Sequence, residues 1–234
     1  MSAFLLLLSA SLYSCKKDSY VIGGANANVS QFKNITTYQF LKNNPTFDTL
    51  VQLIDAAPGL KDAIDAQGTT FFAVPDVAIY NYLQFKTLYL QATVNQYAQF
   101  PLDSLLYYVQ NNINGTADSL KMYLINQPLT YNVLTNNGTV YPTALPGDSV
   151  AVSYEFTTSG SLGYNNIVST IPQVVYFTQL WGHYTISATT PISAISGSLG
   201  YRDLVQTSGI YTQNGVVQVL GYPSILFFYG QRTR

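Results

Sequence analysis

Charged side chains are scarce in this chain. They make up 9% of its 234 residues, and ten Lys and Arg nearly balance eleven Asp and Glu. A chain with no basic patch has little with which to bind phosphates, so we expect no nucleic-acid partner. Glu155 is its only glutamate. Glu and Lys usually cover the surfaces of helices, so their scarcity argues against a helical bundle and, with twenty tyrosines, favours a strand-rich extracytoplasmic protein.

Catalytic residue types are also scarce. His183 is the only histidine and Cys15 the only cysteine, which leaves no second ligand of either type for zinc and no alternative histidine for a catalytic triad. Asp55, Asp62 and Asp65 fit solvated carboxylates on helices. Asp76 after Pro75 fits a turn or a helix cap. We expect no enzymatic activity, no metal and no cofactor, with a hydrolase site in the region of about 141–183 as a remaining alternative.

The single cysteine follows an apolar run over residues 4–12. The run is too short to span a bilayer and fits the apolar core of a secretory signal peptide. Leu12-Tyr13-Ser14-Cys15 resembles the bacterial lipobox, which implies acylation of Cys15 and a signal peptide over residues 1–15. No Lys or Arg precedes Cys15, so we expect the true start to lie upstream of Met1.

The residues after Cys15 predict a tether. Residues 16–37 begin with two lysines and continue with Gly, Ala and Asn, a composition typical of linkers. The sequence SCKKD resembles the mature start of lipoproteins of the Bacteroidetes. This resemblance implies an outer-membrane lipoprotein, held at the cell surface or on the periplasmic face.

Hydrophobic periodicity predicts helices in the first half of the remaining chain. Residues 46–55 place apolar side chains on one face, with Thr46 as the cap, and further helices are predicted at 60–66, 77–85 and 102–109. Residues 69–74 predict a strand. From residue 120 onward, strands and turns predominate. Asn137-Gly138 and Asn214-Gly215 predict two hairpins with type I′ turns.

Three segments resemble the fasciclin-type domain. Residues 68–76, GTTFFAVPD, resemble its first motif, with Val74 and Pro75 departing from the usual residues. Residues 214–220, NGVVQVL, resemble its second motif, with Gln218 where the family has His. Residues 105–109, LLYYV, resemble a segment between them, with Tyr108 in place of another His.

The resemblance implies an α+β fold, a wedge of two small β-sheets with helices packed at one side. It covers a single domain at residues 38–230, longer than usual because of an expanded region at about 141–183. It also implies cell adhesion through a protein or polysaccharide at the cell surface.

Aromatic side chains in or near the expanded region are the candidate binding residues, because Tyr and Trp rings stack on sugars and cover apolar surfaces. They are Tyr154, Tyr164, Tyr176, Trp181 and Tyr184. The alternative function is a surface glycan-binding accessory of an outer-membrane uptake system. Ordinary strand packing is the simpler explanation for these rings.

Overall fold

The computed structural model describes residues 31–167, 170–181, 192–194, 200–222 and 224–230. The helices are α1 (Thr37–Lys42), α2 (Asp48–Ala56), α3 (Leu60–Ile64), α4 (Asp76–Thr93), α5 (Leu102–Gln110) and α6 (Thr116–Ser119). The strands are β1 (Thr69–Ala73), β2 (Leu124–Ile125), β3 (Thr139–Pro142), β4 (Ser149–Phe156), β5 (Gln173–Leu180), β6 (Gly200–Tyr211) and β7 (Gly215–Leu220). Cys15, His183 and Tyr184 lie outside the described residues.

The strands form one seven-stranded sheet in the order β2-β1-β7-β6-β5-β4-β3. Strands β1 and β7 run parallel, and the other neighbours are antiparallel. The α+β class is therefore confirmed. The division into two small sheets is not, because β6 is 12 residues long and pairs with β5 through its first part and with β7 through its second.

Helix α2 forms where the apolar periodicity predicts it. Leu50, Leu53 and Ile54 are buried, and Asp48 occupies the first turn, where its charge suits the helix dipole. The predicted cap is wrong. The residue before α2 is Phe47, which makes no side-chain cap, and Thr46 lies within the preceding 3-10 turn Pro45–Phe47.

The predicted hairpin at Asn214-Gly215 is present, since β6 pairs with β7 on either side of it. Its turn is not type I′, because neither residue has a positive φ. Thr212 closes the turn instead: its Oγ1 lies 3.1 Å from the Gly215 backbone N and accepts its hydrogen bond. A side chain thus replaces the left-handed backbone that a type I′ turn requires.

The predicted hairpin around Asn137-Gly138 is wrong. Residues 131–133 form a turn, and β3 pairs with β4 rather than with a strand before it. Gly138 does have a positive φ of 86°. A Cβ atom there would also lie 2.4 Å from the side chain of Ile192, so close packing requires glycine as much as the turn does.

The core is centred on aromatic rings beneath β5. Phe177 lies 4.4 Å from Phe72 and stacks on Tyr123 and Phe228, with ring centroids 6.0 and 6.1 Å away. Phe227 and Phe228 adopt positive φ values of 59° and 50°, which cost an L-residue about 1–2 kcal/mol each. The Tyr123 hydroxyl accepts a 2.8 Å hydrogen bond from the Phe227 N–H and helps hold this turn.

Candidate functional site

The predicted aromatic residues do not share one surface. Successive side chains of a strand point to opposite faces, and Tyr176 is paired in register with Ser153, the neighbour of Tyr154. Tyr154 therefore lies on one face of the sheet and Tyr176 on the other. Tyr154 packs on Tyr131 with ring centroids 5.0 Å apart, and the Tyr176 ring is covered by the guanidinium group of Arg202 at 3.5 Å.

The remaining aromatic candidates are also separate. Trp181 is half-buried and packs edge-on against Phe228 at 6.1 Å, which ties it to the core. Tyr164 is half-buried in the loop between β4 and β5. Tyr184 lies outside the described residues. Binding by these five residues stays a prediction. The rings of Tyr154, Tyr176 and Trp181 already pack against other side chains.

An ion pair occupies the face of the sheet that carries Tyr176. Arg202 Nη2 donates to Glu155 Oε2, and Ser153 Oγ donates to Glu155 Oε1 at 2.5 Å. The side chain of Glu155 is 12% exposed and that of Arg202 is 30% exposed. Because both carboxylate oxygens already accept hydrogen bonds and the guanidinium stacks on Tyr176, this cluster is suited to joining β4, β5 and β6.

A carboxylic acid is buried on the opposite face. Asp203 is 4% exposed and pairs in register with Phe177. Burial raises the pKa of Asp203 to about 7, against the opposing effect of a hydrogen bond with Ser224. Its Oδ2 atom has no hydrogen-bond partner. Such an acid is a proton-binding group in the core. Burial also raises the pKa of Tyr123, and the nearby Asp203 adds to that increase.

Helix α4 carries apolar side chains on two sides. Its inner side buries Ala78, Ile79, Tyr82 and Leu83. We use the term outer face of α4 for five exposed apolar side chains, with these exposed fractions: Val77 39%, Tyr80 53%, Phe85 48%, Leu88 60% and Tyr89 54%. At 100° per residue they lie within one half of the helix circumference, which also carries the exposed Gln84 and the half-buried Asn81 and Gln91. Five exposed apolar side chains on one side of a helix are more than scattered single residues, so this face is a candidate contact surface.

Other acidic residues highlighted by the sequence have structural contacts. Asp65 accepts hydrogen bonds from the Tyr38 backbone N–H and the Thr36 hydroxyl, each at 2.9 Å. Asp55 accepts one from the Tyr38 hydroxyl at 2.7 Å, which contributes to raising the pKa of Tyr38. These contacts join α1 to α2 and α3 rather than forming a pair suited to acid–base chemistry.

The described part of the chain contains no group of three His, Cys, Asp or Glu residues arranged to hold a metal ion. It also contains no helix long and apolar enough to cross a membrane. An open depression of about 400 Å³ is lined by residues 135–139. The described residues that line it are Thr, Asn and Gly, and none of these is charged.

Sequence reasoning missed the outer face of α4 because the helix was predicted to end at residue 85. It continues to Thr93 and includes Leu88 and Tyr89. The available signal was an unbroken stretch of 24 residues, from 77 to 100, without Pro, Gly or an acidic residue. Asp203 was not among the predicted site residues, because nothing in its local sequence marks a buried carboxylic acid.

No family model matches the chain, and no curated protein matches it. Among solved structures, it is similar to a FAS1 domain pair from the insect cell adhesion molecule fasciclin I, with a TM-score of 0.44 and 12% sequence identity. The similarity covers 79% of this chain and 46% of that one, so the chain spans less than half the length of the solved structure. A likeness at this level does not assign the chain to a family.

Proposed function

We propose that the chain is a lipid-anchored, extracytoplasmic interaction module of the fasciclin type, and not an enzyme. The observation that carries the proposal is the pairing of its two main motif segments. Thr69 to Ala73 of the first motif lie parallel to Gly215 to Val219 of the second, although the segments are far apart in sequence. If the two resemblances were due to chance, there would be no reason to expect the two segments to form adjacent strands.

Polar side chains in and beside the motifs support this pairing. Asn214 Oδ1 accepts a hydrogen bond from the Thr37 backbone N–H at 2.8 Å, and its Nδ2 donates to the Ile64 carbonyl at 3.2 Å. Gln218, which replaces the His of the second motif, accepts from the Gly209 N–H at 3.0 Å. The replacement is therefore compatible with the motif strand, although any partner contact that the family makes through the His would be lost.

The anchor is proposed from the sequence. Cys15 would be acylated after removal of the signal peptide, and the domain at residues 38–230 would follow the tether over 16–37. Several acyl chains, at about 0.8 kcal/mol per buried CH2, would hold the protein to the outer membrane. The partner would be a protein or polysaccharide at the cell surface.

Intact Gram-negative cells expressing the full chain would test this function. We expect labelled palmitate to enter the wild type and not Cys15→Ala, and we expect protease added to intact cells to remove the wild-type domain. Adhesion to cells or to coated surfaces should rise with expression and fall after protease treatment. A domain that resists protease until the cells are lysed would rule out an adhesive role outside the cell.

The glycan-binding alternative is tested with the purified domain on a glycan array. Binding on a glycan array, lost on Tyr164→Ala, would favour a role in carbohydrate uptake over adhesion. Tyr164 is the suitable substitution because the rings of Tyr154, Tyr176 and Trp181 already pack against other side chains.

A further inference from the structure

The outer face of α4 presents more apolar surface than a single exposed side chain does. Helix α4 has 18 residues and is therefore about 27 Å long. Its three outer aromatic rings, Tyr80, Phe85 and Tyr89, are each about half exposed. Since an aromatic side chain carries about 150–250 Å² of surface, the three rings expose roughly 300 Å² together.

The charge along α4 and the segment that follows it is of one sign. No Asp or Glu occurs between Asp76 and Asp103, and Lys86 is the only charged residue in that interval. The Lys86 ammonium lies 5.6 Å from the centre of the Tyr89 ring and 5.4 Å from that of Tyr229. Exposed aromatic and aliphatic side chains, with uncharged amides such as Gln84 among them, a cation beside them and no carboxylate, are complementary to a bilayer surface, which offers phosphates above hydrocarbon.

The amount of exposed surface favours a membrane over a second copy of the chain. A standard stable protein interface buries about 800 Å² on each partner, and the outer face of α4 supplies less than that. A bilayer needs no matching shape and accepts Tyr and Phe rings at the level of its headgroups.

The tether would keep this face close to a membrane. Cys15 is 16 residues before Gln31, the first described residue. A chain of that length spans at most about 55 Å when extended, and about 22 Å on average when flexible. A domain held within that distance has a high effective concentration at the bilayer, so a weak contact suffices.

We propose that the outer face of α4 docks onto the lipid surface of the membrane that carries the anchor, with the rings of Tyr80, Phe85 and Tyr89 and the side chain of Leu88 at the headgroup level. The proposal rests on the acylation of Cys15 put forward above. Docking would orient the domain and leave the rest of its surface available for a partner.

A fluorescent probe at position 88 tests the docking. Acylation occupies the only native cysteine, so Leu88→Cys in the full acylated chain provides a single thiol for a polarity-sensitive dye. The chain is reconstituted in vesicles of phosphatidylethanolamine and phosphatidylglycerol containing a nitroxide-labelled lipid. We expect blue-shifted emission and several-fold stronger quenching than for Ile167→Cys, a control at a residue that is 87% exposed in another part of the chain.

A second variant tests whether the contact with lipid is due to the protein face rather than to the dye. Leu88→Asp changes an exposed side chain, so the fold should be retained, and a carboxylate on this face should move the domain away from the lipid. We expect a probe at Tyr80→Cys to lose its quenching in the Leu88→Asp background while the protein still sediments with the vesicles.

Each negative outcome has a distinct meaning. An acylated chain in which positions 88 and 167 are quenched equally overturns the docking and leaves the anchor intact. An emission shift at position 88 that depends on protein density, without quenching by nitroxide lipid, identifies a second copy as the occupant and also overturns the docking. A Cys15 thiol that remains reactive in the wild type overturns the anchor, and with it the tether on which docking depends.

Discussion

Asp76 joins the start of α4 to the start of α2 through a hydrogen bond from the Thr49 backbone N–H to its carboxylate. Both carboxylate oxygens lie 3.0 Å from the Thr49 nitrogen, and Oδ1 also accepts from the Leu50 N–H at 3.1 Å. The first N–H groups of a helix have no partner within the helix. Asp76 was expected to cap the helix that follows it, and it instead caps one that begins 28 residues earlier.

Asp76→Ala is expected to destabilise the fold by about 1–3 kcal/mol, because it removes a charged acceptor from partly buried donors at a helix N-terminus. Urea denaturation followed by circular dichroism measures the change. Asp103→Ala is the matched control, since Asp103 occupies the first turn of α5 and affects the dipole of its own helix alone. Equal losses for the two variants would contradict the capping role.

Asp203 predicts a pH dependence of stability. Its pKa is near 4 in an unfolded chain and is raised to about 7 in the fold. Between these values the folded state binds more protons than the unfolded state, so stability decreases as pH rises. The contribution is fully present below about pH 4 and lost above about pH 7, with a total of up to about 4 kcal/mol.

Asp203→Asn keeps the size of the side chain and removes its ionisation. We expect the variant to be more stable than the wild type at pH 8 and to show a flatter stability profile between pH 4 and pH 7. Urea denaturation at a series of pH values measures both effects. A wild-type profile that rises with pH over that interval, or an unchanged slope in the variant, would show that Asp203 is ionised in the fold.

The ion pair between Glu155 and Arg202 is expected to show energetic coupling. Glu155→Gln and Arg202→Met, alone and together, form a double-mutant cycle whose coupling energy should lie in the upper part of the range of about 0.5–3 kcal/mol for contacting residues. Burial reduces screening by water, so the coupling should exceed that of the less buried pair Asp118 and Lys121, for which the same kind of cycle is expected to give about 0.2–1 kcal/mol. Similar values for the two pairs would contradict the role of burial.

Local patterns predicted the elements that depend on local physics. The helix at α2 follows from four apolar residues at helical spacing, and the strand at β1 from five β-branched, aromatic and small residues in succession. The second motif was correctly placed in a strand after a turn. These elements form where residues that are neighbours in the sequence favour the same conformation.

Features set by distant residues could not be predicted. The turn before β7 lacks a positive φ because Thr212 and Thr37 hold Asn214 and Gly215 in another conformation. The aromatic candidates were grouped by sequence position, but strand alternation and register put Tyr154 and Tyr176 on opposite faces. Register depends on how the strands pair in the folded chain, so it cannot be predicted from composition alone.

Gly215 supplies the last prediction, at the junction of the two motif strands. A Cβ atom at this position would lie 2.4 Å from the Thr69 carbonyl oxygen, which belongs to the strand paired with it. Gly215→Ala should therefore force β7 away from β1 and cost about 1–3 kcal/mol. Gly160→Ala is the control, because nothing lies within 4 Å of its Cβ position, and its change should stay within about 0.5 kcal/mol. Urea denaturation compares the two variants, and equal stability would show that the strands separate without cost.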